Sequence, residues 1–524
     1  MLNSPERLLF LSLLVWTNSY SSQSLRILAL LPSQLKSHSV TPVQLLRGLA
    51  AKGHKLDVYT HYPSKDSLPG YTDFSLKGSL PEMSNNLTYK EGIVKSGPQP
   101  FLSFASDWGN EFCQIMKLPV FLKLRDNPPT DPPYDIIITQ FLACPCYLAW
   151  GPYLDIPVVG LVPSLLFDYM HEPFGDPVNL AVDPSLFVGS VAPMSFLERL
   201  NNVITFYHGN WMLYWVVKGQ NDFVKDYFGP GYPDVMSLHR DMALVLTNND
   251  PVVNGMKAFA PKVIPIGGLH AMDNNETLPE DLKKWMDESV DGFVYVTFGS
   301  MTRIESFPRK IIDAFYKAFN NIAPIRVLMK IANPHELPPG LPQNVITRTW
   351  FQQIQILKHK NIKGFITHGG LLSTQEAIHF GVPLIGIPLF ADQYLNIETY
   401  VKKNVAVRTN FDDITEETLT SALNLVLKNP LYRTSMQKLS RKSRDRPMSQ
   451  LDTAIFWIEY VARHGKDALR SPIVDLPWWQ ASLIDVYGFL VSSVILALYF
   501  VKIVCKKLFL AVVSRQGISE KKKN

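Results

Sequence analysis

Past residue 24 the chain alternates between two hydrophobic rhythms. Residues 25–31 form an apolar run of strand length, and a Pro/Ser-rich loop follows. Residues 43–52 repeat apolar positions at helical spacing and stop at Gly53, and 55–60 alternate as a strand. This is a βαβ unit. Further strands are predicted at 135–139 and 156–162. Residues 168–234 are rich in aromatics without a clean period, a composition that either packs against a membrane or shapes an acceptor pocket. A second α/β series is predicted from residue 262: an apolar run at 263–268, strands at 292–298, 325–331, 364–367 and 383–387, and helices at 308–320 and 371–380. A closing helix at 450–463 carries Leu451, Ala454, Ile455, Ile458, Val461 and Ala462 at helical spacing and ends before Gly465. Two doubly wound halves imply a cleft with ligands at the carboxyl ends of the strands.

The two ends follow different rules. Arg7, the apolar run 8–16 and the small polar residues after it have the layout of a secretory signal over 1–21. Residues 483–505 are almost wholly apolar, as long as the ~20 helical residues that cross a bilayer. Trp478 and Trp479 precede them as an interfacial belt, and Lys502, Lys506 and Lys507 mark the cytoplasmic side. The tail 506–524 ends Lys521-Lys522-Lys523-Asn524, which looks like a dilysine retrieval signal of endoplasmic-reticulum membrane proteins. The expected layout is 22–261 as one lumenal half, 262–470 as the other, one span and a cytosolic tail. The sequons at Asn86 and Asn275 agree with lumenal exposure.

With 524 residues, 46% of them apolar, the chain has material for two or three packed cores, and disorder is not the default reading. The net charge of +5 is spread out rather than gathered in basic stripes, which argues against a nucleic-acid partner. Four cysteines make no disulfide scaffold: Cys505 belongs to the span, and Cys113, Cys144 and Cys146 read as buried thiols or one local bridge.

The chemistry concentrates between Trp350 and Gln393, in WFQQ at 350–353, FITHGG at 365–370, LLSTQEA at 371–377 and GVPLIGIPLFADQ at 381–393. Gly369-Gly370 lies between a strand and a helix start, where N–H groups converge and the dipole favours a diphosphate. His368 and Ser373 add donors. Glu376, one turn beyond Ser373, suits ribose hydroxyls. Trp350 offers a flat face for a base and Gln353 an amide beside it, while Asp392 and Gln393 suit the vicinal hydroxyls of a hexose. Together these motifs resemble the donor-binding box of the UDP-glycosyltransferase family, with features of its insect members in Leu371-Leu372-Ser373 and residues 445–449.

The resemblance implies a GT-B fold, two Rossmann-like domains facing across a cleft, with acceptor bound by the first half and UDP-sugar by the second. It implies Ser300, in Phe298-Gly299-Ser300-Met301, as a phosphate contact. It also implies His38 as the base, in the loop after the first strand, taking a proton from the acceptor hydroxyl. The family's carboxylate partner of that histidine is replaced by Gln140, whose oxygen is expected to accept the imidazole N–H without supplying charge. A slower enzyme or a UDP-sugar-binding partner subunit are both consistent with that change. Thr247 stands where relatives using UDP-glucuronate carry a basic residue, which favours glucose as the hexose. The expected reaction is an inverting transfer to a small lipophilic acceptor at the endoplasmic-reticulum membrane, as in detoxification. No cofactor and no metal are expected, since no D-x-D motif follows a strand, and a homo-oligomer remains open.

Overall fold

The computed structural model describes residues 24–64, 66–92, 106, 108–272 and 276–521. The leader at 1–21, Asn275 and the last three residues of the tail lie outside them. The chain forms two compact units, Met1–Arg470 and Ser471–Asn524.

The first unit holds two all-parallel sheets. One contains β1 (Arg26–Leu31), β2 (Lys55–Thr60), β3 (Tyr71–Ser75), β4 (Ile136–Gln140), β5 (Val158–Val162), β6 (Leu244–Thr247) and β7 (Val263–Pro265), in the order β3-β2-β1-β4-β5-β6-β7. The other contains β8 (Phe293–Thr297), β9 (Arg326–Lys330), β10 (Val345–Arg348), β11 (Ile362–Thr367), β12 (Leu384–Gly386) and β13 (Ala406–Arg408), in the order β10-β9-β8-β11-β12-β13. Every residue of β4, β5 and β8 is buried, as expected of parallel strands covered on both faces. Four strands escaped the sequence reading, at β3, β6, β10 and β13. Three of them are short, and β3 is an edge strand whose residues are all at least partly exposed.

Strand order reverses between β1 and β4 in the first sheet and between β8 and β11 in the second. At such switch points the connecting loops part and leave a crevice at the strand ends. His38 and Gln140 belong to the first crevice, Ser300 and His368 to the second.

Two segments side with the first sheet although their position in the chain suggests the second. β7 was expected to open the second series, yet it pairs with β6, Val245 opposite Val263. The closing helix, α6 (Gln450–His464), buries Ala454, Ile455, Ile458 and Val461 among Ile27, Leu45, Leu46 and Leu49. Gly48 makes this approach possible, since a Cβ there would lie 2.6 Å from Leu451 Cδ1. His54 is buried and holds the same joint: Nδ1 accepts from the Leu25 N–H at 3.1 Å, and Nε2 meets Glu459 Oε1 at 3.1 Å.

Cys113 and Cys146 form a disulfide, while Cys144 is a buried thiol whose pKa burial raises to about 12. In the second unit the long helix α7 (Ile484–Lys521) has a stretch, Ile484–Val513, long and apolar enough to cross a membrane. The helix runs well past Cys505, where the span was expected to end, because residues 508–513 resume the apolar run after Lys506 and Lys507.

Candidate active site

At the first switch point β1 leads through Pro32–Leu35 into α1 (Lys36–Ala51). His38 is therefore not in the loop but in the first turn of the helix, which starts seven residues earlier than its periodicity suggested. Pro42 obscured that start. The proline lies inside the helix, in its second turn, and has no N–H to give the carbonyl four residues back, which is that of His38.

Gln140, at the end of β4, fills the gap. Its Nε2 donates to the His38 carbonyl at 3.1 Å, and its Oε1 accepts the Ser33 N–H at 3.2 Å. The expected bond from the imidazole to the Gln140 oxygen is thus replaced by two bonds to backbone. The donor and acceptor requirements fix the amide's orientation, since reversing it would set oxygen against carbonyl and nitrogen against N–H. His38 Nδ1 is buried with no hydrogen-bond partner among the described residues, and burial lowers the imidazole pKa to about 4. The ring is neutral at physiological pH.

At the second switch point the side chains bond one another. Gln353, at the start of α3 (Gln353–Lys358), donates from Nε2 to Ser373 Oγ at 3.1 Å and to Glu376 Oε2 at 2.5 Å. Ser373 and Glu376 share one face of α4 (Leu371–His379), as their spacing required. Burial raises the Glu376 pKa to about 7, and the Gln353 bond offsets part of that rise. His270 stands 3.8 Å from Glu376 Oε1 and bonds the Leu372 carbonyl at 3.1 Å. Burial lowers its pKa to about 4.

His368 sits between two glycines. A Cβ on Gly299 or Gly370 would lie 2.8 or 2.7 Å from its Nε2, so neither position has room for a side chain. Gly369, at φ +90°, takes the left-handed turn into α4. Burial, then the nearby Lys330 ammonium, lowers the His368 pKa to about 4.

Asp392 and Gln393 open α5 (Gln393–Lys402). Asp392 Oδ2 accepts from Asn396 Nδ2 at 2.9 Å, and burial raises its pKa. The Gln393 oxygen accepts the N–H groups of Leu389 and Phe390 at 2.8 and 3.1 Å, so it holds its own loop and leaves the amide nitrogen for other uses.

Three contributors lay outside the sequence reading. Lys330 ends β9, its ammonium donating to the Gly299 carbonyl at 2.8 Å and to Asn85 Oδ1 at 2.6 Å; burial lowers its pKa to about 8. Asn85 belongs to a strap from the first half: its N–H bonds the Ser300 carbonyl at 2.8 Å, the Leu87 N–H bonds that of Met301, and Tyr89 stacks on Phe411. Asn86, beside it, is exposed. Lys36 lies with its ammonium 3.5 Å from the centroid of the Trp350 ring. A lysine on one half against an aromatic on the other carries no local sequence signal, because only the folded chain brings them together. Between the halves Leu165 and Leu186 pack with Leu371 and Leu395, an apolar wall beside the start of α4.

Two parallel Rossmann-like sheets with polar groups gathered at both switch points define the GT-B class of glycosyltransferases. Solved structures agree: UGT89C1 of Arabidopsis thaliana, crystallised with quercetin, aligns at TM-score 0.57 and 16% identity over 83% of this chain and 99% of that one. The glycotransferase of kitacinnamycin aligns at 0.56 and 17% over 83% and 99%. The chain belongs to the UDP-glucoronosyl and UDP-glucosyl transferase family, whose profile matches residues 130–519. UDP-glucosyltransferase 2 of Dactylopius coccus is 34% identical over 508 residues, 96% of each chain. UDP-glucuronosyltransferase 2B1 of Rattus norvegicus is 32% identical over 497 residues, 90% of this chain and 91% of the relative. The protein is a glycosyltransferase that uses a UDP-sugar donor.

Proposed function

We propose that the protein moves glucose from UDP-glucose to a hydroxyl of a small lipophilic acceptor, with inversion and without a metal or cofactor. The observation that carries this reading is the Gln353–Ser373–Glu376 cluster beside Trp350 and the His368–Gly370 turn, a set of donors and acceptors matched to base, ribose and diphosphate. Trp350 takes uracil, Gln353 its edge, and Glu376 the ribose hydroxyls. The diphosphate meets the N–H groups at the start of α4, with Ser373, Ser300 and His368, and Lys330 provides the nearby positive charge. Asp392 and the Gln393 amide hold the hexose.

His38 then takes the acceptor's proton as its oxygen bonds the anomeric carbon. The bond to UDP breaks, and UDP leaves with the electron pair. A base whose pKa is held near 4 works best on acidic hydroxyls, so phenols should outrun aliphatic alcohols. The Leu165–Leu371 wall favours a lipophilic acceptor. Thr247, whose hydroxyl bonds the Ser164 carbonyl at 3.2 Å, puts no cation at the end of β6 for a uronate, which supports glucose. The apolar helix, the exposed Asn86 sequon and the Cys113–Cys146 disulfide support a lumenal body on an endoplasmic-reticulum membrane, with Asn86 glycosylated.

A second reading, binding with little turnover, is favoured by one observation: among the described residues no group pairs with His38 Nδ1 to stabilise the imidazolium. Purified protein given UDP-glucose or UDP-glucuronate with a panel of phenols, in excess chelator, decides between them. Glucoside formation that persists in chelator supports the first reading. UDP-glucose binding without product supports the second, and strict dependence on a divalent cation overturns the metal-free part.

A further inference from the structure

The 21-residue helix α2 (Phe196–Val216) begins with a complete capping box: the Ser195 hydroxyl accepts the Glu198 N–H, and the Glu198 carboxylate accepts the Ser195 N–H at 2.7 Å. It is apolar on both faces: Phe206 and Leu213 are buried with the core, yet the opposite side is not polar. The inward face includes Asn202, fully buried, which donates to the carbonyls of Leu180 and Asp183 and accepts the Ser185 N–H. The outward face carries Phe196, Leu200, Ile204, Tyr207, Trp211 and Trp215, all exposed, with Trp211 at 59% and Trp215 at 53%. Spaced by three or four residues, these six fall within an arc of about 100° and extend over about 29 Å of helix. No acidic residue lies between Glu198 and Asp222, and the basic residues Arg199 and Lys218 bracket the face.

We propose that this face lies in the surface of the bilayer that α7 crosses, with its aromatics at the headgroup level. A contiguous apolar stripe on a water-facing helix marks an interaction surface, and two features name the occupant. Tyrosine and tryptophan are the residues of the membrane interface, and a basic-flanked helix free of carboxylates suits anionic headgroups. The same chain also supplies the bilayer. Residues 471–483 separate the first unit from α7, a connection that spans no more than about 45 Å even when fully extended.

The test uses the full-length protein in lipid nanodiscs. An environment-sensitive fluorophore is attached to Tyr207→Cys in a Cys505→Ser background, with Val290→Cys, exposed in the other half of the body, as the comparison. Lipids carrying a nitroxide near the headgroup should quench the label at 207 at least about twofold and leave the label at 290 unaffected. Adding Trp211→Ser and Trp215→Ser should abolish most of that quenching without changing the melting temperature, because neither side chain belongs to the core. Equal, weak quenching at both sites in protein of native melting temperature overturns the proposal. So does shielding of the 207 label that grows with protein density and ignores the nitroxide, the outcome expected if a second copy covers the face.

Discussion

At the end of the first sheet one imidazole sits with a buried nitrogen that meets no partner among the described residues, whereas at the end of the second sheet three polar side chains bond one another. The first site is held through its backbone: Gln140 bonds the His38 carbonyl and the Ser33 N–H. The second is held by its own functional groups, Gln353 bonding both Ser373 and Glu376. The difference teaches that a base and a binding site need different support. A base must stay unengaged on the side that takes the proton, so its placement is delegated to the main chain. Groups that grip a nucleotide can satisfy one another first and exchange those bonds for ligand.

Removing the proposed base should separate the two sites most sharply. His38→Ala is expected to lower kcat by about 10²- to 10⁴-fold, the usual contribution of a general base, while UDP affinity by calorimetry stays within about twofold because the donor groups do not touch it. Equal losses in both quantities would merge the two sites into one.

The next effect tests backbone support. Gln140→Leu leaves the His38 carbonyl and the Ser33 N–H without the partner that Gln140 supplies, at about 1–3 kcal/mol, which thermal melting should register together with a fall in kcat. Adding Pro42→Ala restores an N–H able to reach the His38 carbonyl, and a double-mutant cycle should show coupling of about 1 kcal/mol. Gln140→Asp should lower activity rather than raise it, because a carboxylate cannot donate to that carbonyl. Additive effects at positions 42 and 140 would show that the glutamine acts in some other way.

The proposed donor site was largely legible as sequence because its groups sit in one stretch, Trp350 to Gln393, on the consecutive elements from α3 to α5. Ser373 and Glu376 share a helical face by spacing alone, and the glycines announce the turn. The base side was not legible in the same way. The role of Gln140 depends on a proline about a hundred residues earlier having no N–H, and that proline also hid the start of α1. The Lys36–Trp350 and Asn85–Lys330 contacts arise from the meeting of the halves, which no local pattern encodes.

A third measurement addresses the charge of the donor site. With its pKa raised to about 7, Glu376 is increasingly protonated as pH falls through neutrality and loses acceptor capacity for ribose hydroxyls. UDP-sugar affinity should therefore decline below pH 7, by up to about tenfold per pH unit, and Glu376→Gln should flatten the profile at a weaker affinity. His38, neutral down to about pH 4, should add no limb in that range. The smallest effect is expected at Lys36. A base stacking on the face that its ammonium covers must exchange a cation–π contact of about 0.5–1 kcal/mol. Lys36→Ala should accordingly tighten UDP by a factor of about 2–5 in calorimetry, and weaker binding would mean that the lysine contributes to the grip instead.

The return of α6 to the first sheet bears on how such proteins can be recombined. Anyone splicing the acceptor half of one relative onto the donor half of another would naturally cut once, near residue 290. Here a single cut brings a foreign helix against Ile27, Leu45 and Leu49, with Leu451 pressed on Gly48 and Glu459 facing His54. Working chimeras should need a second crossover near residue 449, so that the acceptor module travels as two separated stretches of chain.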